Sequence, residues 1–147
     1  MKHLFYFLIL SFIQITANQG FAQKIYQWRG ENRNGIYNES NLLDKWPEGG
    51  PVLLWSTESV GSGFAAPVVT DKMVLINGEE GGNSFLFAFD LKGKLLWKSP
   101  NGKEFTGSGY ASNFPGARST PTVAGDLIYS MSGTGRIACY EVATGKQ

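Results

Sequence analysis

The chain has few of the residues on which catalytic and metal sites usually depend. Its one cysteine, Cys139, excludes an intrachain disulfide. Its one histidine, His3, lies in an N-terminal stretch that we expect to be removed, so the remainder lacks the commonest general base and transition-metal ligand. Neither sign of charge dominates, because 13 basic residues oppose 12 acidic ones. We therefore expect no nucleic-acid partner, since such binding needs a strongly basic face.

Long apolar runs are also missing, and the one sizeable run opens the chain. Residues 4–15 are almost continuously apolar, and Gly20 and Ala22 then offer small residues where a signal peptidase reads the chain. About a dozen apolar residues are too few for a membrane span, which needs about twenty. We expect residues 1–22 to be a signal peptide cleaved before Gln23, with an uncleaved anchor as the alternative. The mature protein would then be periplasmic or secreted, without a transmembrane span.

Glycine and aromatic residues are abundant, with 19 glycines and 14% Phe, Trp and Tyr. Many turn residues together with many flat side chains favour short strands over helices. Two patterns recur along the mature chain. The triplet Leu-Leu-Trp ends at Trp55 and again at Trp97, and a twelve-residue pattern begins at Ala65 and again at Ser119. A unit of about 40 to 55 residues therefore repeats, which is the range expected for propeller blades.

Each repeat predicts four short strands. In the first repeat these are residues 66–70, 73–78, 84–91 and 94–99, with a polar loop at 79–83. Residues 42–46 predict one helical turn at most. Four-stranded units of this period are typical of a β-propeller. The predicted fold is therefore all-β, with about two blades of four-stranded antiparallel sheet.

The repeats divide the chain into three parts. Residues 1–22 are the signal peptide, residues 23–55 an N-terminal segment with a closing strand, and residues 56–147 two repeats, the second incomplete. Because a propeller closes with at least about four blades, we expect the chain to be a fragment whose first partners are the remaining blades of the same chain. A natural two-blade chain is the alternative, and it would have to assemble with copies of itself.

The stretch from Ala88 to Trp97 resembles the tryptophan docking motif of pyrroloquinoline-quinone-type propeller repeats. That motif runs Ala-x-Asp, a turn that ends in Gly-Lys, two residues and Trp; the second copy begins at Cys139 and has Glu141 in place of Asp. The acid should accept hydrogen bonds from the turn amides, the glycine should take a positive φ, and the tryptophan should pack on the neighbouring blade. The residues assigned to the motif are Trp55, Ala88, Asp90, Gly93, Lys94, Trp97, Glu141, Gly145 and Lys146.

Residues 27–37 and 115–121 resemble a secreted subgroup of the same family. The family resemblance implies two functions. Some members are quinone- and Ca²⁺-dependent alcohol dehydrogenases, whereas others, such as the propeller lipoprotein of the outer-membrane β-barrel assembly machine, bind no cofactor and act as scaffolds. The chain favours an exported, non-catalytic binding or assembly scaffold for an envelope protein or small-molecule ligand, because no cysteine pair or converging carboxylates can be assigned. Pyrroloquinoline quinone and Ca²⁺ belong only to the alternative, a quinoprotein alcohol dehydrogenase.

Arg118 is the one candidate for a ligand-binding side chain. It lies just before the strand that should be innermost in the second repeat, where the first repeat has Phe64, so the repeat itself does not require arginine. It is a candidate for binding an anionic group, with a structural ion pair or an exposed arginine as the alternative. Glu79 and Glu80 predict a solvated loop tip rather than a metal site.

Overall fold

The computed structural model describes residues 24–108 and 112–147, and the predicted signal peptide lies outside these residues. The described chain forms two four-stranded antiparallel sheets. This confirms the predicted all-β fold built from four-stranded blades. The strands are β1 (Ile25–Tyr26), β2 (Val68–Val69), β3 (Met73–Glu80), β4 (Asn83–Asp90), β5 (Leu95–Lys103), β6 (Thr122–Ala124), β7 (Leu127–Met131) and β8 (Ile137–Glu141).

The first blade follows the chain, in the order β2-β3-β4-β5. Its long central pair, β3 and β4, stays in register from Met73↔Asp90 to Glu80↔Asn83. The predicted loop at 79–83 is therefore wrong, since only Gly81 and Gly82 form the turn. The strands extend this far because Glu79 accepts a hydrogen bond from the amide of Gly82, while Glu80 pairs with Lys98.

The second blade has the order β1-β6-β7-β8. Strands β6, β7 and β8 repeat β2, β3 and β4 of the first blade. The fourth strand, however, is β1, which pairs with the β6 edge through Ile25↔Ala124 and Tyr26↔Val123. The strand in the described part of the N-terminal segment therefore lies at the edge opposite β8.

Residues 42–46 do not form the predicted helical turn, and Leu42, Leu43 and Trp46 are exposed. A single turn fixes several backbone angles for little hydrogen bonding, so it needs packing to persist. These three side chains have no core to pack against within the described residues.

The hydrophobic core lies between the two sheets rather than within either one. Its buried members are Val68, Met73, Leu75, Leu86, Ala88, Val123, Ile128, Ala138 and Tyr140, with Tyr26, Trp97 and Val142 packed against them. The three rings of Phe85, Phe87 and Phe89 follow one another along β4 with centroid spacings of 6.4 and 6.5 Å. Because each sheet completes its burial on its neighbour, one blade alone has little core.

Candidate binding surface

Two tryptophans make the same contact on successive blades. Trp55 Nε1 donates to the carbonyl of Leu91 at 3.1 Å, and Trp97 Nε1 donates to the carbonyl of Val142 at 3.1 Å. Each indole lies on the turn that follows the third strand of the next blade. A large flat side chain with one polar edge suits this position, because its face packs while its N–H finds an acceptor.

The turn under Trp55 is held by Asp90. Its Oδ1 accepts the backbone amides of Lys92 and Lys94, both at 2.9 Å. The amide of Lys94, ahead of that of Lys92, lowers the pKa of Asp90 below its ordinary value. Gly93 has φ of 85°, as the motif predicts. Ala88 lies opposite Trp97 in the sheet and is fully buried.

The second turn differs from the first at its acid. The sequence predicts that Glu141 accepts backbone amides, but its carboxylate instead accepts the hydroxyl of Thr144 at 2.7 Å. Thr144 in turn accepts the amide of Lys146 at 3.1 Å. The turn is one residue longer than the first and the acid one methylene longer, so the threonine hydroxyl bridges the carboxylate and the amide. Gly145 has φ of 67°.

The two motif glycines touch the docked indoles. A Cβ at Gly93 would lie 2.7 Å from Trp55 Cδ2, and one at Gly145 would lie 2.5 Å from Trp97 Cε3. Both distances are far inside van der Waals contact. The glycine of each turn is therefore needed for two reasons: it takes the positive φ, and it lets the tryptophan approach closely.

A buried polar chain, which the sequence analysis missed, links the blades. Ser130 Oγ donates to Asn77 Oδ1, and Asn101 Nδ2 donates to Ser130 Oγ, both at 2.9 Å. The hydroxyl of Tyr140 lies 2.9 Å from Asn101 Oδ1 and 2.8 Å from the carbonyl of Pro100. Burial raises the pKa of Tyr140, so the phenol remains a donor. The available signal was Asn77, which directly follows the apolar run of β3.

Arg118 is bound to its own loop. Its Nη2 donates to the carbonyl of Phe114, and its guanidinium lies 5.9 Å from the centre of the Phe105 ring. The side chain is exposed. These contacts stabilise the loop after β5, and the anion-binding role of Arg118 stays a prediction.

A groove of about 730 Å³ runs between the N-terminal segment and β2. One end is fixed by Asp71, which accepts the hydroxyl of Tyr26 at 2.6 Å and pairs with Lys24 at 3.1 Å. The hydrogen bond from Tyr26, followed by that from Lys24, lowers the pKa of Asp71. The walls combine backbone with both polar and apolar side chains, including Ile36 and Tyr37. The volume lies within the range of small-ligand sites.

The part of the N-terminal segment from Trp28 to Trp46 also exposes large apolar side chains, of which Ile36 and Tyr37 line the groove. Each of them is more than half exposed, although each would normally be at least partly buried. They are Trp28, Ile36, Tyr37, Leu42, Leu43 and Trp46. Such side chains outside a core are typical of a surface that another molecule covers.

Residues 47–146 match the family described as outer membrane protein assembly factor BamB, a pyrroloquinoline-quinone-type repeat family. The chain belongs to this family. The match covers both docking motifs, the first blade and strands β6, β7 and β8 of the second, so the predicted family and the propeller fold are confirmed. A comparison with curated proteins gives no match to this chain.

Two further features of the described residues concern membrane crossing and metal binding. Residues 24–108 and 112–147 contain no helix of the length and apolarity that a membrane crossing requires. Within the same ranges, no three His, Cys, Asp or Glu side chains lie close enough together to hold a metal ion.

Proposed function

We propose that this BamB-type chain supplies blades to an exported, non-catalytic scaffold that binds another protein of the cell envelope. The observation that carries the proposal is the set of six exposed apolar side chains between Trp28 and Trp46. The family's description, an assembly factor for outer membrane proteins, supports the same class of partner.

Four acidic side chains of the blades support a scaffold in a second way, because they are engaged in building the fold. Glu79 caps a hairpin turn, Glu80 pairs with Lys98, and Asp90 and Glu141 hold the two docking turns. A carboxylate that acts as a general base must instead face a substrate within hydrogen-bonding distance. In contrast, the apolar side chains of the N-terminal segment project from the surface and are available to a partner.

Site-specific photo-cross-linking in cells tests the binding role. A photoreactive amino acid at Leu43 or Trp46 should give a discrete cross-linked product with an envelope protein, identified by mass spectrometry. The matched control is Asp126, which is also exposed but lies on the β6–β7 turn of the second blade. Equal products at all three positions, or none at Leu43 and Trp46, would contradict the proposal.

Export is tested separately. Expressed with its own N-terminus, the protein should be recovered outside the cytoplasm with Gln23 as its first residue. A chain that retains Met1 in the soluble cytoplasmic fraction would refute export and leave the binding test unaffected.

Catalysis is tested by adding pyrroloquinoline quinone, Ca²⁺, a primary alcohol and an artificial electron acceptor to the purified protein. A scaffold should give no acceptor reduction above the alcohol-free blank. Reduction that depends on the alcohol and on both additions would replace the scaffold with a quinoprotein dehydrogenase.

A further inference from the structure

The inner edges of the two blades differ in one respect. Strands β2 and β6 are the first strands of their repeats and hold the same place in their sheets. In the second blade β1 covers the free edge of β6, where Tyr26 lies opposite Val123. In the first blade, β2 pairs only with β3 within the described chain. One inner strand therefore carries an added strand, and the other does not.

The uncovered edge of β2 presents the backbone of Val69. Across the hairpin, the amide of Thr70 donates to the carbonyl of Met73 at 2.9 Å. Because successive residues of an antiparallel strand direct their backbone groups to opposite edges, the amide and carbonyl of Val69 point away from β3. Val123 is the corresponding residue of the second repeat, and there Tyr26 lies opposite it. An uncovered edge of this kind is a template for a further strand.

The groove of about 730 Å³ lies along this edge of β2. One wall is formed by residues 67–71, which include the whole of β2, and the other by the N-terminal segment. Further blades of a propeller pack face to face around its axis, whereas the inner edges line the central channel. The opening beside β2 is therefore independent of the number of blades.

The wall opposite β2 is held in place by its own hydrogen bonds. Gly35 donates its amide to the carbonyl of Arg29 at 2.9 Å, and Gln27 Nε2 donates to the carbonyl of Glu31 at 2.8 Å. Arg29 and Arg33 have φ of 63° and 56°. Such a backbone persists only where its surroundings hold it. This wall therefore needs little ordering when a ligand binds, which favours affinity.

The charges that line the groove indicate the class of ligand. Asp71 is paired with Lys24, whereas Glu31 and Glu39 have no ion-pair partner among the described residues. The lining therefore has an excess of negative charge. Tyr37, which is more than half exposed, adds an aromatic ring whose face attracts a cation. A lysine or arginine side chain complements this lining.

We propose that the groove binds an extended basic segment of the partner protein, which adds to β2 as β1 adds to β6. The identity of the partner rests on the proposed function, whereas the site rests on the open edge and the charges of the groove. The register follows from the repeats. The peptide residue opposite Val69 corresponds to Tyr26 of β1, and it exchanges both backbone hydrogen bonds with Val69.

A peptide with the sequence of residues 23–28, blocked at both ends, is the probe, because it contains the β1 sequence and one lysine. Isothermal titration calorimetry should show saturable binding of one peptide per chain. Methylation of the backbone nitrogen of the peptide's tyrosine removes the donor to Val69 and should weaken binding about 3- to 10-fold. Methylation at the isoleucine, whose amide faces away from β2, is the matched control. No saturable binding up to about 1 mM, or an equal loss with the two methylated peptides, would overturn the proposal.

A variant of β2 distinguishes strand addition in the groove from displacement of β1. Val69→Pro removes the amide that faces the groove but no hydrogen bond to β3, and it should abolish peptide binding in a protein that circular dichroism shows to be folded. A peptide that displaced β1 from β6 would bind this variant normally. Unchanged binding to the folded variant would therefore overturn the proposal.

The charge complementarity is tested without altering β2. Glu31→Gln and Glu39→Gln should each weaken peptide binding about 2- to 5-fold. Glu58→Gln, at an exposed position outside the groove, should leave it unchanged. Equal binding by all three variants would overturn the assignment of a basic ligand. Photo-cross-linking at the exposed apolar side chains does not involve β2, so its failure refutes the envelope partner, whereas failure of the peptide to bind refutes the groove alone.

Discussion

Replacing Gly93 with alanine measures how firmly Trp55 is docked. Gly93 has φ of 85°, and a Cβ there would lie 2.7, 2.8 and 2.9 Å from three atoms of the indole. Gly135 is the matched control, because its φ is 87° and a Cβ there would meet nothing within 4 Å. Both substitutions carry the backbone cost of a left-handed alanine, about 1–2 kcal/mol. Gly93→Ala adds the overpacking of the indole, about 1–3 kcal/mol.

The difference between the two variants therefore isolates the contact with the tryptophan. Urea unfolding followed by circular dichroism should show Gly93→Ala about 1–3 kcal/mol less stable than Gly135→Ala, with an unchanged dependence on urea concentration. The gain from restricting the unfolded chain is the same for both and cancels. Equal stabilities would mean that Trp55 moves aside at no cost, and would refute the docking of the indole on this turn.

Three further predictions concern the docking tryptophan Trp97, the buried polar chain and the turn held by Asp90. Trp97→Phe, which loses the donor to the Val142 carbonyl, should cost about 1–2 kcal/mol in urea unfolding, whereas Trp46→Phe on the exposed segment should cost less than about 0.5 kcal/mol. Tyr140→Phe, which removes the hydroxyl from the buried polar chain, should cost about 1–2 kcal/mol by the same assay, and no loss would show that the chain contributes nothing. The turn amides lower the pKa of Asp90 in the folded protein. Their hydrogen bonds to the carboxylate therefore stabilise the fold fully above the pKa of the unfolded chain, near 3.8, and this stabilisation is lost as pH falls through the folded pKa. On acidification below about pH 4, Asp90→Asn should therefore lose less stability than the native chain. Parallel plots of unfolding free energy against pH for the two proteins would count against the role of the Asp90 carboxylate in holding the turn.

The first docking turn could be predicted from the sequence because its chemistry is local, whereas the second differs from the prediction at Glu141. Asp90, Gly93 and Trp97 lie within eight residues of one another, and the turn geometry follows from the residue types that accept amides and tolerate a positive φ. The strands of the first blade could be predicted for the same reason, except at residues 79–83, where the sequence predicts a loop and the structure has the ends of β3 and β4. There the acidic residues indicated solvent, although their carboxylates are satisfied by the adjacent turn and by Lys98 of β5.

The buried polar chain could not be predicted, because its members meet only after the blades pack. Ser130 binds Asn77, 53 residues away, and Asn101, 29 residues away. Nothing in the sequence near any one of them specifies the other two. The position of β1 had the same difficulty, since a two-residue strand carries almost no pattern and its pairing with β6 joins Ile25 to Ala124, far apart in the chain. Register over such distances is set by the packed sheets rather than by local preference.

The placement of polar groups explains why the blades associate in one arrangement. An apolar interface alone would tolerate sliding, because burial is proportional to area and has no direction. The indole bonds of Trp55 and Trp97, together with the asparagine–serine–tyrosine chain, are satisfied in only one relative position of neighbouring sheets. A shift would leave several buried donors or acceptors unpaired, each at about 1–3 kcal/mol. The apolar core therefore supplies most of the attraction between blades, and the hydrogen bonds fix the angle at which each new blade is added.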